Sequence, residues 1–242
     1  MRTPYICDNN YFGYGTMKDE EVEKAIEIAY NDNLQILAHC NGDKAAEQYI
    51  KNIRKVQYDC QKNLESGENK NDIRPVMIHA QLLGTDQIKD LKELNIIPSF
   101  FIAHIYHWGD IHIKNFGYER AKYISPVGTT LKEGIKYTFH QDSPVIPPNM
   151  FETIWCAVTR KTKAGVTLEE KEKISVLDAI KGVTINSAYQ YFEEDKKGSI
   201  KEGKFADLII VDKNPLKIDI NEIKDIKVLE TIKNGKTLYK RN

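Results

Sequence analysis

The sequence predicts an α/β protein built on a parallel sheet, followed by a short all-β tail. Three observations carry that reading. Short, nearly continuous apolar runs recur at 35–40, 75–81, 96–104 and 136–144, stretches with helical apolar spacing lie between them, and the end of the chain switches to strand patterns. Strands buried on both faces read as apolar runs rather than alternations, and their alternation with helices is the pattern of βα crossover units. About four such units are expected over residues 1–195, with 196–242 forming a separate β segment.

The elements follow in order. After NNYFGYG, Thr16 is placed to cap a helix with an acidic first turn (Asp19, Glu20, Glu21) and an apolar stripe at Val22, Ala25, Ile26, Ala29 and Tyr30. The run QILAHC and the turn at Gly42-Asp43 lead to a second helical pattern at Ala46, Tyr49, Ile50, Ile53, Gln57, Cys60 and Leu64. ESGENKND at 65–72 reads as a loop, and PVMIHAQ as the next strand. Thr85 is expected to cap a helix carrying Ile88, Leu91 and Leu94. The runs IIPSFFIAH and KYTFHQDSP supply two more strands, with the segment 104–120 expected as a loop between them. T-L-E-E at 167–170 and S-V-L-D at 175–178 resemble capping boxes and predict helix starts. DLIIVD, KVLETIK and KTLYK predict tail strands, with Asn234-Gly235 as a hairpin turn.

Composition narrows the function classes. With 242 residues, 41% hydrophobic and 29% charged, the chain has the make-up of a folded globular protein, not a disordered one. Lys plus Arg and Asp plus Glu both total 35, so no charge excess favours nucleic acid or an anionic membrane surface, and a small-molecule partner is expected. No apolar run approaches the roughly 18 residues of a membrane span, and MRTPYICDNN lacks the form of a signal peptide, so a cytoplasmic location is expected. The four cysteines (Cys7, Cys40, Cys60, Cys156) contain no C-x-x-C and read as reduced thiols.

Three of the four apolar runs end in a group that binds metals. His39 closes the first, His79 the second, and Asp142 follows the fourth. In parallel α/β folds the C-terminal strand ends face the site-bearing side, so these residues are expected to converge, and two imidazoles with a carboxylate suit zinc or a similar ion. A single histidine of this kind fits a hydrogen-bonded core residue better; repetition at matching strand ends favours the ligand reading. His104, His107, Trp108, Asp110 and His112 crowd the stretch after the third run. Substrate contact suits them better than a second metal site, and a packed loop around one indole is the plainer alternative. His140, two residues before Asp142, shares its strand face and reads as a pocket wall. No G-x-S-x-G, Walker or G-x-G-x-x-G motif occurs, and Cys40 and His39, as strand neighbours, point to opposite faces and make a poor nucleophile pair.

Five segments together resemble the amidohydrolase superfamily, in the branch called amidohydrolase family 3 with its N-substituted formamide deformylases and D-aminoacylase relatives. They are AHCNGDKAAE at 38–47, IHAQ at 78–81, HWGD with the later GYERA at 117–121, HQDSPV at 140–145, and KGSIKEGKFADLIIVDKNPL at 197–216 with the closing NGKTLY. The resemblance implies a (β/α)8 TIM barrel with a small β-sandwich, and one or two metal ions. It implies that His39 and His79 are metal ligands on strands five and six. It also implies that Asp142, on strand eight, is both a ligand and the general acid/base for hydrolysis of a non-peptide C–N bond. The family's H-x-H of strand one and its bridging lysine or acid of strand four have no counterpart upstream of His39. The chain is therefore expected to correspond to the C-terminal half of a longer metal-dependent hydrolase, to bind zinc weakly, to have little activity alone, and to associate with a second copy or with the missing half. A deaminase of the same superfamily, or a non-catalytic scaffold, are the alternative readings.

Overall fold

A computed structural model describes residues 1–63 and 72–242; Leu64 and the loop expected at 65–72, up to Asn71, lie outside them. Four parallel strands, β1 (Leu37–Cys40), β2 (Val76–His79), β3 (Ile97–Phe100) and β4 (Thr138–Phe139), form one sheet in chain order. Leu37 pairs with Val76, Val76 with Ile97 and Ser99 with Thr138, so the strands run side by side with their C-terminal ends at one rim. The α/β expectation and its sheet are thereby met. Successive parallel neighbours joined by helices are the repeat of a (β/α) barrel, and the sheet is four such units wide.

Helices α1 (Asp19–Asn31), α2 (Asp43–Asn63), α3 (Thr85–Glu93), α4 (His104–Phe116), α5 (Tyr118–Ala121), α6 (Val127–Lys132), α7 (Met150–Thr159), α8 (Val176–Val183) and α9 (Ile185–Gln190) surround the sheet. Two cap assignments move. Lys18, not Thr16, stands at the N-cap of α1, where the Glu21 carboxylate reaches back to accept its N–H at 2.7 Å. Gly84, not Thr85, caps α3, and Gln87 Oε1 accepts its N–H at 2.9 Å. In both, the third helical side chain satisfies an orphan donor that the sequence reading assigned to a threonine. Ser175 does cap α8, accepting from the Asp178 N–H at 3.1 Å. T-L-E-E starts no α-helix: Thr167 bridges back to Lys161, and only a 3-10 turn follows at Glu170–Glu172.

The segment expected as a loop after the third strand is instead α4, which buries Ile105, Gly109 and Phe116. The fully buried Arg160 fixes its surroundings. Its guanidinium donates to the carbonyls of Leu168 (2.5 Å), Ser125 (2.9 Å), Ile124 (2.7 Å) and Lys122 (3.2 Å). Ser125 in turn donates its N–H to the Gln81 carbonyl at 2.8 Å, so the loop after β2 is tied to that anchor.

The tail strands β5 (Leu208–Val211), β6 (Val228–Lys233) and β7 (Lys236–Lys240) form a separate antiparallel sheet. Asn234 (φ 50°) and Gly235 (φ 73°) make the hairpin, as an Asn-Gly pair does at no steric cost. Ile223 and Ile226, from the turn between β5 and β6, reach the main apolar core that also holds Ile154 and Trp155 of α7. At the other end, residues 1–12 strap across the rim: Arg2 donates from its backbone N–H to Asp43 (2.7 Å) and from its side chain to Asp86 (2.7 Å), and Ile6 N–H bonds Asn115 O at 3.0 Å. Among the described residues no helix is long and apolar enough to cross a membrane.

Candidate metal centre

Strand geometry delivers three donors to one point of the rim. His79 is the last residue of β2, and His140 and Asp142 follow β4 two residues apart. A ring nitrogen from each histidine and a carboxylate oxygen of Asp142 all lie within 4.8 Å of one another. His140 Nε2 is 3.3 Å from His79 Nδ1, and His79 Nε2 is 4.0 Å from Asp142 Oδ2. A tetrahedral zinc ion with ligands at about 2.0–2.1 Å holds its donors about 3.3 Å apart, so one atom from each of the three groups, now within 4.8 Å of one another, would have to draw together by up to about 1.5 Å.

The local backbone is strained where the donors sit. His79 (φ 70°), Ala80 (φ 47°) and Asp142 (φ 53°) all occupy the left-handed region. That conformation costs about 1–3 kcal/mol at a non-glycine residue and persists where surrounding structure holds it, often at functional sites. Here it turns the chain sharply at the strand end. Gln141, between two of the donors, is itself pinned: its Nε2 donates to Asn149 O (2.5 Å) and Thr153 Oγ1 (2.8 Å) at the start of α7.

Burial keeps the imidazoles in the neutral form that binds metals. It lowers the pKa of His79, helped by neighbouring His39 and opposed by Asp142. Burial and then His79 push His140 down to about 4. Ser99 Oγ contacts His140 Nδ1 at 3.0 Å, leaving the other nitrogen to face His79; such an outer hydrogen bond fixes a ligand ring. The donor set therefore fits a divalent, nitrogen-preferring ion on three protein groups with a position left open.

The other candidates spread around this point. His39 is exposed, and its ring stands edge-on to His79 at 4.5 Å between centroids, outside the three-donor group. His104, at the start of α4, lies 6.4 Å from His79 and packs against Phe101 and Trp108 at 4.7 and 4.6 Å. His107 points elsewhere, with Nε2 2.6 Å from Glu152 Oε1, and Asp110 accepts from the Ala164 N–H at 3.1 Å. Two participants were not singled out beforehand: Gln81, whose amide meets His112 Nε2 at 3.1 Å, and Glu152. Gln81 lies in the quoted IHAQ; Glu152 belongs to α7, a helix not anticipated.

A rim of parallel strands presenting two histidines and an aspartate is a donor set that could hold a divalent metal ion. The amidohydrolase family model matches residues 1–239, and the chain belongs to that family. It is 29% identical over 165 residues to an N-substituted formamide deformylase of Arthrobacter pascens, covering 67% of this chain and 30% of the relative. It is 25% identical to a 5-methylthioadenosine/S-adenosylhomocysteine deaminase of Thermoanaerobacter pseudethanolicus, covering 86% and 42%. Among solved structures, a metal-dependent hydrolase from Pyrococcus furiosus matches with a TM-score of 0.72 and 26% identity, covering 89% of this chain and 41% of that one. The chain thus spans less than half the length of these relatives.

Proposed function

We propose that this chain contributes a metal-binding half-site to an enzyme that hydrolyses non-peptide C–N bonds, with amides of the N-substituted formamide type as the substrate class. The approach of His79, His140 and Asp142 to within 4.8 Å supports this reading above all. In it, His79 and His140 hold the ion through neutral ring nitrogens, and Ser99 keeps the His140 ring oriented. A divalent ion such as zinc, when bound, supplies carbonyl polarisation and a more acidic water. Asp142, exposed at the rim, accepts the water's proton on a carboxylate oxygen and returns it to the departing nitrogen. Protonation matters because an amine leaves only as a neutral molecule. The same steps cover loss of ammonia in the deaminase relatives.

We also propose that the outer strands of the four-stranded sheet pair with further barrel strands. Leu37 on β1 is 47% exposed, as an unpaired outer strand would leave it. Zinc titration of the chain by calorimetry, with amine release from N-substituted formamides as the second readout, tests the functional reading. One equivalent of weakly held zinc is expected, weakened at least tenfold by His79→Ala, and whatever amine the chain releases is lost in Asp142→Asn. Absence of zinc binding, or binding indifferent to His79→Ala, overturns it.

A further inference from the structure

Beside the three donors, a hydrogen-bonded relay dictates where one histidine carries its proton. Gln81 is buried, and its Nε2 lies 3.1 Å from His112 Nε2. A carboxamide nitrogen only donates, so His112 Nε2 is an acceptor and His112 carries its proton on Nδ1. The same His112 Nε2 lies 3.1 Å from His104 Nδ1. Two acceptors cannot bond, so His104 Nδ1 donates and shares the single lone pair of His112 Nε2 with the Gln81 amide in a three-centre hydrogen bond. The far nitrogen of His104, Nε2, then bears a free lone pair. Among the described residues it takes no protein hydrogen bond, and it is not enclosed.

The arrangement is held at a cost. Among the described residues His112 Nδ1 is buried without a partner, with the ring of Phe116 stacked at 5.5 Å between centroids, and unpaired buried polar atoms are rare enough to need a reason. Burial keeps His112 neutral, pushing its pKa down to about 4. Phe101 and Trp108 clamp the His104 ring, so its free edge has little freedom to turn.

We infer that His104 accepts a hydrogen bond from an N–H or O–H of a substrate bound beside His79, and that Gln81 and His112 are positioning residues that set its tautomer. The substrate part rests on the hydrolase reading above; the tautomer does not. A lone-pair acceptor at this place favours an amide bearing an N–H over a fully substituted one.

Long-range proton–nitrogen NMR of the 15N-labelled chain, with no metal added, reads the tautomer directly. His104 protonated at Nδ1 is the expected result, and protonation at Nε2 overturns the inference. Gln81→Leu and His112→Phe, each checked for folding by near-UV circular dichroism, are expected to move His104 toward the Nε2–H form; no movement in either folded variant overturns the positioning role. N-methylformamide should shift the His104 Nε2 resonance while N,N-dimethylformamide should not, and equal responses refute the acceptor role. Because zinc is absent throughout, a failed zinc titration would sink the hydrolase reading without touching the tautomer.

Discussion

The two sheets start from similar sequence and end in different surroundings. PVMIH and DLIIVD are both short apolar runs, yet β2 is buried at three of its four positions while no residue of β5 is buried. Helices and long connections cover the parallel sheet; the tail sheet reaches the core mainly through Ile223 and Ile226 of its connecting turn. The strand signal thus reports side chains that suit a pleated surface, and what covers that surface is decided by residues far away in the chain.

The largest expected effect separates the two. Phe100 on β3 is fully buried, so Phe100→Ala should destabilise the chain by about 3–5 kcal/mol through lost burial and the cavity left behind. Leu238 on β7 is 67% exposed, and Leu238→Ala should change stability by less than about 0.5 kcal/mol. Urea denaturation followed by circular dichroism checks both; a large loss for Leu238→Ala would show that the tail sheet is covered in solution.

A second pair sharpens the contrast at glycines. A methyl group at Gly182 of α8 would come within 2.7–2.8 Å of the Phe139 ring on β4, so Gly182→Ala should cost roughly 1–3 kcal/mol by overpacking. At Gly235 a methyl group meets nothing within 4 Å, and the penalty is the positive φ of 73° alone, about 1 kcal/mol. Equal losses in thermal denaturation would mean that α8 shifts on β4 without resistance.

The legible part of the site followed from strand periodicity. His39, His79 and Asp142 stand at strand ends because each closes an apolar run, and those ends share a rim. His140 read as a wall beside Asp142; its actual approach to His79 depends on the ring orientation set by Ser99, a residue 41 positions away. The helix α4 was read as a loop because histidines, Trp108 and Gly109 interrupt the apolar period, and its buried stripe of Ile105, Gly109 and Phe116 includes a residue with no side chain. MFETIWCAVT of α7 gave no usable period because seven of its ten residues are buried, and a run that is apolar on every side does not distinguish helix from strand. The Gln81–His112–His104 relay joins the loop after β2 to two histidines eight residues apart on α4, a helix that was read as a loop.

A pH-dependent effect tests the join between the two regions. Arg74, just before β2, holds Glu194, between α9 and the tail, through contacts of 2.8 and 3.0 Å, with its guanidinium stacked over Tyr189 and Phe192 at 3.8 and 4.2 Å. The hydrogen bond from Arg74 lowers the Glu194 pKa below its usual value. A carboxylate depressed in the folded state adds stability that is fully present above its unfolded pKa of about 4.3 and is lost as pH falls through the lower folded value. Glu194→Gln should therefore cost roughly 1 kcal/mol at pH 7, with the difference from the unmodified chain shrinking below pH 4.5 and vanishing in stronger acid. Urea midpoints across pH 2.5–7.5 measure it. A penalty independent of pH would assign Glu194 a packing role and leave the aromatic stack on Arg74 as the contact that fastens the tail.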